Sequence, residues 1–298
     1  MLNPDTLSQF VVKPGSRIDL SDHMTDWLDD PVAGELGKDA VKKHTRQLLE
    51  QNRRQLDAAQ ELLYASNSAS VLIIFQAMDA AGKDGTIRHV MSGVNPQGCQ
   101  VFSFKKPSAE ELDHNFLWRH MKSLPERGRI GIFNRSYYED VLIVKVHPEI
   151  LPAYHPRKPT RQFWKNRYED INNFEKHLSR SGTLVLKFFL HLSEHEQKKR
   201  FLKRLTNPKK HWKFSAADLA ERAHWKDYQK AYAEAITATS TRHAPWHIIP
   251  ADRKYVARAM VADFIVNAIR GLDLSYPEIT EEQLATIEAA RKQLENEP

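Results

Sequence analysis

"SVLIIFQAMDAAGKDGT", Ser70 to Thr86, is the stretch on which the fold turns. Five apolar residues, Val71 to Phe75, run unbroken toward a turn containing Gly82, Lys83 and Gly85; Thr86, Ile87 and Val90 then continue with helical spacing. A buried strand, a glycine turn and a helix, in that order, present backbone N–H groups and the positive end of a helix dipole to an anion. The stretch fits the phosphate-loop pattern G-x-x-x-x-G-K-[ST] at all but two positions: Ala77 stands at the first glycine and Asp84 where a Mg²⁺-binding hydroxyl is expected. Gly82 and Gly85 let the backbone approach phosphate oxygens, and Lys83 supplies a mobile point charge. With no hydroxyl at position 84, a magnesium ion needs another ligand, and the carboxylate at hand is Asp79. Mg²⁺ commonly takes one or two carboxylates and completes its shell with phosphate oxygens and water. The competing reading is an ordinary strand-to-helix turn in which Asp79 bonds its own backbone.

Working outward, four further apolar runs follow: Gln100–Phe104, Ile130–Phe133, Thr183–Leu190 and Trp246–Ile249. Helical patterns separate most of them. The alternation predicts an α/β fold whose five-stranded parallel sheet is covered on both faces, with ligands at the carboxyl ends of the strands. Lys38 to about Ala65 lacks glycine and proline and repeats Val41, Leu48, Leu49, Leu56, Leu62 and Leu63 at helical spacing, so it reads as an amphipathic helix. Residues 1–37, broken by Pro4, Pro14 and Pro31, read as a surface arm. Between the fourth and fifth strands a basic helical region, Ser193 to Ala238, is interrupted at Thr206-Asn207-Pro208, which predicts a hairpin over the site. Glu281 to Glu295 reads as a charged helix, either solvated or a dimer contact.

Lys and Arg number 44 against 38 acidic residues in 298, a net charge of +6. That balance suits a polyanionic partner, and nucleic acid, nucleotide phosphates and an inorganic polyanion all fit it. Cys99 is the only cysteine, which excludes an internal disulfide framework and a cysteine zinc cluster and fits a reducing compartment. No secretory pattern and no run of about 18 apolar residues is present, so a cytoplasmic location without a membrane partner is expected.

The second informative segment is "GRIGIFNRSYYEDVLIVKVHPE", Gly128 to Glu149. Its strand ends at Phe133, and Asn134 stands where a Mg²⁺-orienting Asp is usual in a phosphate-loop enzyme. Arg135 follows at the ligand edge, where a guanidinium clamps phosphate or, alternatively, pairs with Glu139 or Asp140. Lys105 and Lys106 leave the second strand at the same edge.

At these residues the chain becomes familiar. AMDAAGKDGTIRHVMSGVNPQG (Ala77–Gly98) and FNRSYYEDVLIVKVHPE (Phe133–Glu149) resemble the polyphosphate kinase 2 family, and within it the class III nucleotide phosphotransferases; the resemblance runs from Lys38 to about Leu272. It implies a P-loop kinase-like three-layer α/β/α sandwich with a helical lid. The chain is then organised as an arm (1–37), a kinase domain (38–275, lid about 193–238) and a C-terminal helix (276–298). The implied activity is reversible, Mg²⁺-dependent transfer of phosphoryl groups from inorganic polyphosphate to AMP and ADP, with adenine or guanine nucleotides as partners, no nucleic acid, and a dimeric or tetrameric assembly. Carried over residue by residue, the first motif falls on Asp79, Ala80, Ala81, Gly82, Lys83, Asp84, Gly85 and Thr86, and the second on Asn134, Arg135 and Ser136. Asp79 is the implied metal ligand.

The lid is implied to lie where Lys198, Lys199, Arg200, Lys203, Arg204, Lys209, Lys210 and Lys213 crowd together. Arg200 and Arg204 are i,i+4 neighbours, as are Lys199 and Lys203 on an adjoining face, and two guanidiniums on one face can track successive phosphates. A solvated basic helix is the ordinary alternative. In Phe163–Leu178, Phe163, Ile171, Phe174 and Leu178 share a face expected to be buried, and Arg167, Glu169 and Asn173 are candidates to reach the nucleotide. Two other functions use the same loop: an ATP-dependent kinase of nucleotides or polynucleotide ends, and a non-catalytic nucleic-acid-binding module. Against the latter, the chain has no aromatic-rich or zinc nucleic-acid module.

Many relatives in other classes carry Asp at the position of Asn134. Adding that charge in Asn134→Asp is expected to repel the doubly charged phosphate of AMP and lower its use relative to ADP. Steady-state kinetics with each acceptor test this; undiminished AMP use with unchanged ADP use refutes it.

Overall fold

The apolar runs form strands β1 (Ser70–Gln76), β2 (Cys99–Ser103), β3 (Ile130–Asn134), β4 (Thr183–His191) and β5 (Trp246–Pro250). In the computed structural model, which describes residues 4–151, 155, 159–213 and 215–297, they make one parallel sheet in the order β2-β3-β1-β4-β5. The central strand β1 pairs on one side with β3, Val71 opposite Ile130 and Phe75 opposite Asn134, and on the other with β4, Val71 opposite Leu184. Chain direction across the sheet reverses at β1, and the crevice for a ligand therefore opens at its carboxyl end.

The principal helices are α1 (Lys38–Ser66), α2 (Lys83–Val90), α3 (Arg161–Arg180), α4 (Glu194–Leu205), α5 (Ala216–Ala223), α6 (Trp225–Thr239), α7 (Lys254–Arg270) and α8 (Glu281–Glu295). Alternate side chains of β1 point to opposite faces. Val71, Ile73 and Phe75 pack on α1 and α7, whereas Leu72 and Ile74 pack with Ile171, Phe174 and Leu178 of α3 and Tyr232, Ala235 and Ile236 of α6. The result is the three-layer α/β/α sandwich. Val41, Leu48, Leu56 and Leu63 line the buried stripe of α1, which ends at Asn67 in the left-handed conformation, φ 47°. Helix α7 is apolar on nearly every face because sheet and α1 enclose it, and its buried Asp263 accepts the Asn52 amide of α1 at 3.0 Å. Helix α8 is exposed along its length, and no helix among the described residues is long and apolar enough to cross a membrane.

The N-terminal segment is not the surface arm its composition suggested. Leu7, Phe10, Val12, Leu20 and Trp27 are buried. Val12 N–H donates to Trp246 O at 2.8 Å and Ile248 N–H to Phe10 O at 2.9 Å, with Val11 bridging His247 antiparallel. The segment thus occupies the exposed edge of β5, where unpaired strand groups would otherwise meet solvent. Its few apolar residues lack periodicity because they follow the sheet edge rather than a regular element.

A lysine sits in the middle of the buried strand β4. Lys187 and Glu175 of α3 are both fully buried, with Lys187 Nζ donating to Glu175 Oε2 at 2.6 Å, to the Thr239 carbonyl at 2.7 Å and to Tyr138 Oη at 2.9 Å. Tyr137 and Tyr138 donate to the other carboxylate oxygen at 2.9 and 2.7 Å. Burial pulls the Lys187 ammonium below the usual lysine range, and Glu175 opposes that shift. Removing one member of such a pair strands a buried charge and costs about 3–5 kcal/mol, whereas removing both costs less. Urea unfolding is therefore expected to show a large loss for Lys187→Met and a smaller one for Lys187→Met combined with Glu175→Gln; additive losses would refute the pairing as the unit of stability.

Candidate functional site

The chain leaves β1 through Ala77 to Gly82 and enters α2 at Lys83. Gly82, at φ 105°, is the helix N-cap, a conformation that glycine adopts without a Cβ clash. The first-turn amides of α2 have no intrahelical acceptors and line the cleft. Two non-glycine residues here are also left-handed, Ala80 and Arg135, each with φ 64°. Such geometry costs on the order of 1–3 kcal/mol and persists only where the surroundings impose it.

The surroundings of Ala80 are specific. Arg200 of α4 is buried, and each of its donors is engaged: Nη1 with the carbonyls of Ala80 (3.0 Å) and Ala81 (2.7 Å), Nη2 with those of Ala251 (2.7 Å) and Asp252 (3.0 Å), and Nε with Glu196 (2.9 Å). A guanidinium has five N–H donors and no more. Arg200 is therefore corrected from phosphate ligand to clamp, fastening the loop to the exit of β5. Gln197, also on α4, donates to Asp79 O at 2.9 Å, so three successive loop carbonyls are held by one helix.

Opposite the loop, β3 ends at Asn134, whose amide donates to Asp84 Oδ1 at 2.8 Å and to Ser103 Oγ of β2 at 3.4 Å. Arg135 N–H donates to Phe75 O at 3.2 Å, and its Nη2 meets Asp79 Oδ1 at 3.2 Å. That ion pair is partly solvated, so it orients the two side chains more than it stabilises the fold. The Glu139 carboxylate chiefly, with Asp79 and against the opposing effect of burial, holds the Arg135 guanidinium above its ordinary range. Lys83 Nζ donates to Ala77 O at 2.7 Å, and burial, reinforced by Arg135, lowers its pKa against the pull of Asp79.

These groups border a cleft of about 830 Å³ into which Lys105, Lys106, Lys203, Arg204, Lys210, Lys254 and Arg258 also project. Asp79, Asp84 and Asp218 are its carboxylates, and Asp218 meets Arg204 at 3.4 Å. Lys254 and Arg258, one turn apart on α7, escaped the sequence reading, although an i,i+4 basic pair after the fifth strand was the available signal. Burial, then Arg200, Arg258 and Lys210, push Lys254 down to about 8, and burial with Arg200 lowers Arg258. Crowded cations of this kind mark an anion site.

Not every expected residue reaches the cleft. Ser136 is buried, accepts the Gln76 amide at 3.1 Å and caps the turn at Tyr138 N. Thr86 is buried behind the loop, and Lys199 stands on the solvent side of α4 beside Glu196. Of the α3 candidates, Glu169 and Asn173 are exposed, whereas Arg167 lies 4.1 Å over the Phe116 ring. That pair walls a neighbouring cavity of about 520 Å³ together with Phe163 and Asp140, the latter pushed up to about 6 by burial. The side chain of Lys213 lies outside the described residues.

The donor set suits a hard cation. Among the described residues no cluster of three or more His, Cys, Asp or Glu side chains forms a cage, but Asp79 and Asp84 both line the cleft. One or two carboxylates completed by phosphate oxygens is the pattern for Mg²⁺, and Asp79 and Asp84 are the two carboxylates at the loop.

Comparison with known proteins agrees with the geometry. A model of the polyphosphate kinase 2 family matches residues 39–276. An ADP-polyphosphate phosphotransferase of Rhodopseudomonas palustris is 52% identical over 96% of this chain and 97% of its own length. An AMP/ADP-polyphosphate phosphotransferase of Meiothermus ruber is 44% identical over 91% and 96%. The crystal structure of polyphosphate kinase 2 from Arthrobacter aurescens superposes with a TM-score of 0.79 at 42% identity, over 85% of this chain and 87% of that one. The chain belongs to the polyphosphate kinase 2 family.

Proposed function

We propose that this protein transfers phosphoryl groups from inorganic polyphosphate to AMP and then to ADP, forming ADP and ATP, reversibly and by direct in-line displacement. The observation that carries the reading is the cleft itself. A phosphate loop, Arg135 and cations from several separate elements converge on one open space, which suits two phosphate chains lying end to end. The names of the Rhodopseudomonas and Meiothermus relatives support the donor and the acceptors.

Phosphoryl transfer through a loose transition state demands positioning and charge stabilisation rather than covalent chemistry. The α2 amides and Lys83 hold one phosphate chain from below, Arg135 faces it from β3, and Arg204 with Lys203 reaches over from the lid. Asn134 holds Asp84 aside, and Asp79 orients the acceptor. Bound at Asp79, Mg²⁺ would supply charge neutralisation between the two chains. The second pKa of a phosphate monoester is about 6, so the acceptor is already a nucleophile at neutral pH and needs no strong base. Arg200 acts by fixing the loop.

Purified protein incubated with Mg²⁺, long-chain polyphosphate and either AMP or ADP is expected to make ATP from both acceptors, read by nucleotide chromatography. ATP from ADP alone would overturn the AMP step, and no product from either would overturn the proposal. Lys83→Ala and Arg204→Ala are each expected to lower kcat by about 10²-fold, the scale for losing one transition-state donor, with the fold retained. Arg200→Ala is expected to lower both kcat and melting temperature, because four carbonyls and a carboxylate lose their donor. An Arg200→Ala enzyme as stable as wild type would refute the clamp.

A further inference from the structure

Helix α5 is tied to α4 at two points. Arg204 Nη1 meets Asp218 Oδ2 at 3.4 Å, and Arg222 Nη1 donates to Gln197 Oε1 at 2.6 Å and to Glu194 O at 3.0 Å. The second tie does not end at Gln197. The same amide group, only 1% exposed, uses its Nε2 to donate to the Asp79 carbonyl at 2.9 Å. One side chain thus joins the lid helix α5 to the backbone of the carboxylate that faces Arg135. The junction requires an amide, because one end must accept from a guanidinium while the other donates to a carbonyl.

The neighbouring contacts make this link different from a general packing interaction. Arg200 of α4 joins the carbonyls of Ala80 and Ala81 to those of Ala251 and Asp252, so that part of the loop is fixed whatever α5 does. Asp79 lies just outside the clamp, and its carbonyl partner Gln197 also contacts Arg222, which is partly exposed on α5. Through this bridge the Asp79 peptide is tied to α5 as well as to α4. Asp218, on the same helix, lines the cleft beside Arg204 of α4, so a polyanion that draws Arg204 away breaks the other tie of α5 to α4.

We infer that Gln197 is a positioning residue that transmits the docking of lid helix α5 to Asp79, aiming its carboxylate only when Arg222 is seated. The inference rests on the assignment of Asp79 to the phosphoryl-transfer site. It adds a coupling between lid and loop carried by Gln197 and Arg222, neither of which lines the cleft.

The test is a double-mutant cycle on the full-length enzyme with Gln197→Met, Arg222→Ala and both together, alongside Gln197→Glu and Asp79→Asn. Each is measured for kcat, KM for polyphosphate, the Mg²⁺ concentration giving half-maximal rate, and melting temperature. Misplacing a reacting group by about 1 Å can cost on the order of 10²-fold, so a fall of about 10- to 100-fold in kcat is expected for Gln197→Met and Arg222→Ala. KM for polyphosphate should stay within about twofold, while the Mg²⁺ requirement rises. The double variant should be no worse than the weaker single one, since both break one bridge. Gln197→Glu retains an acceptor for Arg222 but places a carboxylate against the Asp79 carbonyl, and it should lose kcat as Gln197→Met does. Arg222→Ala removes a partly exposed side chain, so it keeps the question open to measurement if Gln197 variants fold poorly. Losses that add, or changes in melting temperature at wild-type kcat, overturn the inference. An inactive Asp79→Asn beside fully active Gln197 and Arg222 variants overturns it alone, whereas a fully active Asp79→Asn sinks the assignment on which it rests.

Discussion

A loop that turns its amides toward an anion must turn its carbonyls away from it, and buried carbonyls need donors. Here that constraint falls on Asp79, Ala80 and Ala81, whose carbonyls point toward α4 rather than water. Gln197 and Arg200 supply the missing donors. The same guanidinium takes the carbonyls of Ala251 and Asp252, so the exits of β1 and β5 are joined through a single side chain. The left-handed Ala80 is tolerable because both neighbouring peptide orientations are externally held. Helix α4 therefore serves at its start as part of the loop's scaffold, and Lys203 and Arg204 near its end line the cleft.

The facing half of the site depends on a different buried group. Arg135 is left-handed and is followed at once by Ser136, Tyr137 and Tyr138, all fully buried. The two phenols end on Glu175, and Glu175 ends on Lys187 in β4. A charge pair with no solvent exposure is an expensive way to join helix to sheet. It fixes the turn that carries Arg135 through directional bonds, which apolar packing alone would not supply.

Between these two scaffolds the cleft gathers like charges. Lys83, Lys254 and Arg258 are all held below their ordinary range, burial leading in each case with neighbouring cations adding to it. The fold tolerates this repulsion because α1, α7 and the sheet bury enough apolar surface to hold the elements together. A polyanion relieves the repulsion on binding. Asp79 and Asp84 are held by Arg135 and Asn134, so the carboxylates stay oriented within a basic field.

The strands, the loop and most of α1 were legible in the chain because each is local: an apolar run, a glycine turn, or a stripe at period 3.6 is set by neighbours in sequence. That Asp79, Lys83, Asn134 and Arg135 border the cleft was legible for the same reason, since a parallel strand delivers its carboxyl end to one edge of the sheet. Ser136, Lys199 and Arg200 could not be placed from sequence, because a hydroxyl or a basic residue looks alike whether it faces solvent, substrate or a buried carbonyl. Lys187 lies within a run read simply as apolar, because its partner Glu175, twelve residues earlier, meets it only across the helix–sheet interface. The N-terminal segment looked like a surface arm because its apolar residues follow the edge of β5. Sequence by itself determined which segments are strands and which turn carries the glycines and lysine that line the cleft, since those follow from backbone sterics and local periodicity. Tertiary structure alone decided which cations are free for phosphate and which are consumed as scaffold, because that depends on where distant carbonyls and carboxylates finish when the layers close.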